Sequence, residues 1–211
     1  VALPNEFHPL FKIQNSIEYK NAISYLRNRG ILKEDVFRYN IGYCETGEYA
    51  GYIIFPSYNA KGNLNFFIGR KYYNVKREIS YKKPQVSMNM IGFESFINWN
   101  EPINLCEGVF DACAIRNNAI PLFGKYIQNK LLSTIIKKKV KRINIILDDD
   151  ALEDAIKNYE KLKGINSELQ IHIVKLDGKD PSVVGYDKIW KSIKSSTQFE
   201  LKDLLLYKLK S

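Results

Sequence analysis

The spacing of apolar positions changes twice along this chain. Over residues 15–29, NSIEYKNAISYLRNR, Ile17, Ala22, Tyr25 and Leu26 recur at helical intervals, which predicts an amphipathic helix that Gly30 is suited to stop. A second short helix is expected over Lys33 to Tyr39. From Gly51 the pattern turns β-rich, in GYIIFPSYNAKGNLNFFIGRKYY, and the polar turn at Ala60 to Asn63 makes the two runs a hairpin. Further on, four short apolar runs, PINLCEG, AIPLFG, RINIILDDD and LQIHIVKL, are separated by helix-like segments. That alternation predicts a parallel sheet covered on its faces. From Tyr186 to Lys210, Ile189, Trp190 and Ile193, then Leu201, Leu204, Leu205 and Leu209, keep a helical period, so the chain is expected to end in one or two helices. The expected class is α/β: a basic α+β subdomain at 1–100, a parallel-sheet domain at 101–185 and a helical tail at 186–211.

At 211 residues, 45% hydrophobic and 26% charged, the chain has the balance of a globular protein and is no disordered tail. Lys+Arg 32 against Asp+Glu 23 leaves a net charge of +9, which favours a polyanionic partner such as nucleic acid or an acidic membrane surface. A solvated surface in a lysine-rich proteome gives the same number. Cys44, Cys106 and Cys113 form no CxxC pattern and have no zinc-finger spacing to His8 or His172, so zinc is not expected. Their odd number fits a reducing cytosol, and no run reaches the roughly 18 apolar residues of a membrane span. The start at Val1, without a methionine, a basic n-region or an apolar h-region, reads as a cut fragment and not as a secretory precursor.

The acids are the most pointed feature. Asp148, Asp149 and Asp150 stand together where an apolar run stops, although like charges at a strand end repel one another. On extended backbone Asp148 and Asp150 point the same way. In LCEGVFDACAIRNN another strand-like run ends at Glu107-Gly108, and a helix follows that holds Asp111 in its first turns. A third stretch, LDGKDPS, leaves a strand with Asp177 and Asp180. In a parallel sheet all three groups converge at one edge, where ligands collect. Such a cluster calls for divalent cations, and oxygen-only ligands suit Mg²⁺ or Mn²⁺. Two such ions about 3.5–4 Å apart can activate an attacking oxygen and stabilise a leaving one in nucleotidyl transfer. Some of these acids also have a structural alternative, since Asp111 and Asp154 suit helix N-termini and the aspartate triplet suits a solvated loop.

Between residues 61 and 83, Lys61, Arg70, Lys71, Lys76, Arg77, Lys82 and Lys83 alternate with Phe66, Phe67, Tyr72, Tyr73 and Tyr81. Cations that neutralise phosphates, between rings on which bases stack, suit single-stranded nucleic acid. The other reading makes the rings half-buried strand residues, Phe66 and Phe67 especially, and the lysines edge protection. The basic run KKKVKR at 137–142 reads as a solvated helix end.

Glu107-Gly108-x-x-Asp111-Ala112, followed by Asp148-x-Asp150 and then Lys179-Asp180-Pro181, resembles the TOPRIM domain of bacterial-type primases, topoisomerases, recombination mediators and some nucleases. AISYLRNRGILKEDVFRYNIGY and IIFPSYNAKGNLNFFIGRKYY look like the N-terminal subdomain of bacterial and phage DNA primases, and together these stretches cover most of residues 1 to 185. The resemblance implies a Rossmann-like TOPRIM sheet and the compact, phage-like catalytic core of a DNA-dependent RNA primase. Such a core makes RNA primers from ribonucleoside triphosphates on single-stranded DNA, with two or more Mg²⁺ or Mn²⁺ ions, beside a replicative helicase, in the cytoplasm of a bacterial or phage-infected cell. It implies that Glu107 acts as acid/base or metal ligand, that Asp148 and Asp150 bind metal, and that Asp111 and Asp180 support them. Arg70 matches a basic residue of the primase groove; Lys71, Arg77, Lys82, Lys83 and Asn89 extend that nucleotide- and template-binding set. Asp149 stands where many primases have glycine, Ser182 where many have a further aspartate, and the zinc ribbon that such primases usually carry upstream is not within these residues. A TOPRIM-type nuclease and a non-catalytic single-strand-binding module of the replisome are the rival readings.

Overall fold

A computed structural model describes residues 1–73, 80–146, 151–176 and 184–209. The chain divides into two compact units, 1–95 and 96–211.

In the first unit β1 (Phe7–Pro9) precedes α1 (Ile17–Asn28) and α2 (Lys33–Arg38), followed by β2 (Gly42–Cys44), β3 (Tyr52–Tyr58), β4 (Leu64–Lys71) and β5 (Tyr81–Lys82). The strands form one antiparallel sheet in the order β1-β2-β3-β4-β5. Helix α1 starts where expected because the Ser16 hydroxyl accepts the Tyr19 N–H at 3.1 Å, and Gly30, at φ 75°, turns the chain out of it. Asp35 caps α2 by accepting the Leu32 N–H at 2.9 Å. The predicted hairpin is β3–β4, closed through Asn59, whose side chain accepts the N–H groups of Lys61 and Asn63. Pro56 is tolerated in β3 because β2 pairs only with Tyr52–Ile54, so nothing in the sheet needs an N–H there. Phe66 and Phe67 are buried, on the structural side of the two readings, and Tyr49, Tyr52, Ile54 and Cys44 pack with Phe67. Burial pushes the Cys44 thiol up to about 12.

The second unit contains β6 (Ile103–Cys106), α3 (Val109–Ile115), β7 (Ala119–Pro121), α4 (Asn129–Lys137), β8 (Arg142–Ile146), α5 (Leu152–Ile165), β9 (Gln170–Ile173), α6 (Tyr186–Ser195) and α7 (Leu201–Lys208). Its sheet is parallel throughout, in the order β7-β6-β8-β9, as the alternation of apolar runs and helices requires. The central strands are buried at every position from Ile103 to Cys106 and from Ile143 to Ile146. Helix α6 docks through Ile189 and Ile193, and Trp190 donates its indole N–H to the Ile115 carbonyl at 3.0 Å. Lys137, Lys138 and Lys139 are exposed at the end of α4, as the solvated reading of that run has it. No helix among the described residues is long and apolar enough to cross a membrane.

One polar feature runs through this core. Asn104 and Asn144 face each other in register on β6 and β8, and the Asn144 amide donates to the Asn104 side-chain oxygen at 2.7 Å. Asn104 donates in turn to the Asn117 carbonyl, and Arg142 donates to the Asn144 oxygen. Burying these amides is tolerable because the described groups satisfy one another.

Candidate active site

In the second unit the register brings the ends of two neighbouring parallel strands side by side, Cys106 of β6 against Ile146 of β8. Glu107 follows the first of these, half-buried, and among the described residues its carboxylate enters no hydrogen bond or ion pair. Gly108 then takes the extended conformation that opens α3, at φ −128°, and its N–H donates to the Asp111 carboxylate at 2.9 Å. Neither that φ nor the space demands glycine, since a Cβ there would meet Asp111 only at 3.4 Å.

The acids of this unit therefore divide by commitment. Asp111 is buried and ties down the first turn of α3. Asp154, in the first turn of α5, pairs with Lys125 at 3.0 Å, and that hydrogen-bonded ammonium holds its carboxyl below the usual carboxylate range. Among the described residues Glu107 has neither kind of partner. A half-buried carboxylate at the carboxyl end of a parallel strand is a hard oxygen donor of the kind that Mg²⁺ or Mn²⁺ takes. Among the described residues no group of three His, Cys, Asp or Glu side chains is placed to hold a metal ion. Asp148, Asp150 and Asp180, expected to complete the cluster with Glu107, lie outside the described residues.

In the first unit Arg70 sits near the end of β4, opposite Tyr81 of β5. Its Nε donates to the Tyr25 hydroxyl at 2.8 Å, and its guanidinium lies 4.6 Å from the centre of the Tyr81 ring. Two tyrosines thus fix the fork, which meets no carboxylate among the described residues. The neighbouring cations are placed differently. Lys71 lies over the Tyr52 ring, whereas Lys82 donates to the Glu48 carbonyl, pairs with its carboxylate at 3.0 Å and covers Tyr49. Lys83 and Asn89 are exposed, and the Asn89 N–H donates to the Ser87 hydroxyl. Arg77 lies outside the described residues.

Sequence reasoning missed the clamp on Arg70. Tyr25 reads as one of the apolar positions of α1, and nothing local links it to a residue so distant in the chain. Tyr81 was visible among the alternating rings, but its cross-strand position needed β5, a strand of two residues.

No protein-family model matches the chain. It is 31% identical over 166 residues to the uncharacterised protein MG010 of Mycoplasma genitalium, spanning 74% of each. Among solved structures it is similar to the DnaG primase catalytic domain bound to single-stranded DNA, with a TM-score of 0.73 and 17% identity over 92% of this chain and 77% of that one. The E. coli primase catalytic core gives a TM-score of 0.71 at 16% identity, covering 92% and 78%. The Aquifex aeolicus primase, solved with its zinc-binding and RNA polymerase domains, gives 0.74 at 17% identity, covering 85% of this chain and 57% of that one. The fold is that of DnaG primase catalytic cores.

Proposed function

This chain belongs to one family with protein MG010 of Mycoplasma genitalium, and from its primase-core fold we propose that it is a primase catalytic core, a nucleotidyltransferase that makes short RNA primers from ribonucleoside triphosphates on single-stranded DNA. The observation that carries this reading is Glu107, a half-buried carboxylate uncommitted among the described residues, at the carboxyl end of a central parallel strand. Asp148 and Asp150 follow in sequence the end of β8, the strand beside β6. In this reading they would hold the metal together with Glu107, with Asp180 in support, while Asp111 acts at one remove by tying down the turn that follows Glu107.

Mg²⁺ or Mn²⁺ held by these carboxylates would supply a Lewis acid that lowers the pKa of the attacking 3′-hydroxyl and offsets the charge of the triphosphate. Glu107 serves as metal ligand or takes the hydroxyl proton as the new bond from the 3′-oxygen to the α-phosphorus forms and pyrophosphate leaves. Arg70 presents a rigid fork to phosphate oxygens, because the two tyrosines have already fixed its orientation. Lys71, Arg77, Lys82, Lys83 and Asn89 extend the anion-binding strip to the triphosphate or the template, and the exposed rings of Tyr73 and Tyr81 offer stacking faces for single-stranded bases.

The test is incubation with single-stranded DNA, labelled ribonucleotides and Mg²⁺ or Mn²⁺, comparing the wild type with Glu107→Gln and Asp150→Asn. Short RNA from the wild type alone is the expected result. Cleaved DNA without ribonucleotide incorporation assigns the acids to a nuclease. DNA binding that both variants retain in full, with no product from any of the three, assigns the chain to a non-catalytic binding module.

A further inference from the structure

A groove of about 200 Å³ opens in the first unit between the segment after β1 and the helices α1 and α2. Its floor is the buried side chains of Leu26, Ile31 and Val36, and its rim carries Phe11, Ile13 and Leu32, which are 41%, 89% and 47% exposed. Phe37, 71% exposed, extends the rim by meeting Phe11 edge-on at 5.6 Å. Large apolar side chains gathered at the mouth of a concave surface mark a binding face more often than a face that meets only water.

Two cations, Arg27 and Lys33, line the same groove, and no acidic residue does. Among the described residues neither side chain enters a hydrogen bond or ion pair. We infer that this groove docks an amphipathic segment of a partner protein that carries apolar side chains on one face and carboxylates along its edge. The apolar floor takes the first, and the two cations take the second. Nucleic acid would engage the cations and leave the Leu, Ile and Val floor in water. A second copy of the chain, itself at +9, would bring its own positive charge to Arg27 and Lys33. A bilayer needs a protruding apolar face, whereas this one is recessed.

The inference is independent of the catalytic reading, because it uses none of the residues assigned to it. It is tested by fluorescence anisotropy with a labelled helical peptide of about 18 residues bearing leucines at i, i+4 and i+7 flanked by glutamates, against the same peptide with lysines for the glutamates. The wild type is expected to bind the glutamate peptide at least tenfold more tightly. Arg27→Glu combined with Lys33→Glu is expected to reverse that preference, and Phe37→Ser to weaken both peptides. If the charge reversal impairs folding, as read by far-UV circular dichroism, Arg27→Gln with Lys33→Gln is expected to abolish the preference instead. Equal affinity for the two peptides, no saturable binding, or a preference that survives both double variants overturns the inference. So does tighter association with anionic phospholipid vesicles than with the glutamate peptide, or a dimer in sedimentation that Phe37→Ser dissolves.

Discussion

The two units use their charges in opposite ways. In residues 1–95 two cations of the β4–β5 strip are held by aromatic rings, Arg70 by Tyr25 and Tyr81 and Lys71 by Tyr52, whereas Lys82 lies over Tyr49 but is also paired with the Glu48 carboxylate. In residues 96–211 Asp111 and Asp154 are consumed by helix starts and an ion pair, whereas the carboxylate of Glu107 enters no hydrogen bond or ion pair among the described residues. Aromatic clamping fixes a cation's position without cancelling its charge, so it keeps its reach toward anions. An acid bound to an ammonium or a backbone N–H has lost much of its reach toward a metal. Commitment, more than residue type, separates the charges that build the molecule from those available to chemistry.

Glu107→Gln should break this contrast most severely. It keeps the shape and removes the charge, so primer synthesis is expected to fall on the order of 10²-fold or more while the melting temperature stays unchanged. Product gels and thermal unfolding read the two effects separately. Asp111→Ala should do the converse for stability: losing the bond to the Gly108 N–H is expected to cost about 1 kcal/mol, seen as a melting temperature lower by several degrees.

On the basic side, Arg70→Lys keeps the charge but loses the guanidinium donor to Tyr25 and the guanidinium contact with the Tyr81 ring. Single-stranded DNA affinity is expected to drop roughly five- to tenfold by anisotropy, with the change smaller at high salt. The mildest effect concerns His172 on β9, whose Nδ1 lies 3.1 Å from the Ser196 carbonyl. Burial first, and then the Arg142 charge, hold its pKa below the ordinary histidine range, against the opposing Ser196 bond. The unfolded chain therefore binds the proton first. Stability from this group is complete above the unfolded value of about 6.5 and is lost as pH falls toward the folded one. The wild-type melting temperature should decline from pH 7 to pH 5 more steeply than that of His172→Gln.

Much of the fold was legible because its longest elements carry clean periods. Helix α1, the β3–β4 hairpin and the buried runs of β6, β8 and β9 each declare themselves over enough residues to fix a pattern. Strands β1, β2 and β5 did not, since two or three residues cannot show a period of two, and they exist only because the hairpin offers edges, with β2 added to β3, β1 to β2 and β5 to β4. The Asn104–Asn144 pair left a faint trace, an Ile-Asn step inside two apolar runs, but its meaning depends on the parallel register. At the candidate site, Glu107 could be read from its place after an apolar run. What sets it apart from Asp111 and Asp154 could not, because a carboxylate's commitment is decided by N–H groups and lysines that the fold supplies.

The most direct test of this division is manganese binding followed by electron paramagnetic resonance on the wild type, Glu107→Gln and Asp154→Asn. Saturable uptake by the wild type and by Asp154→Asn, sharply weakened in Glu107→Gln, is the predicted result. Uptake unchanged by Glu107→Gln, or absent from the wild type, would contradict the assignment of Glu107 to the metal-binding edge.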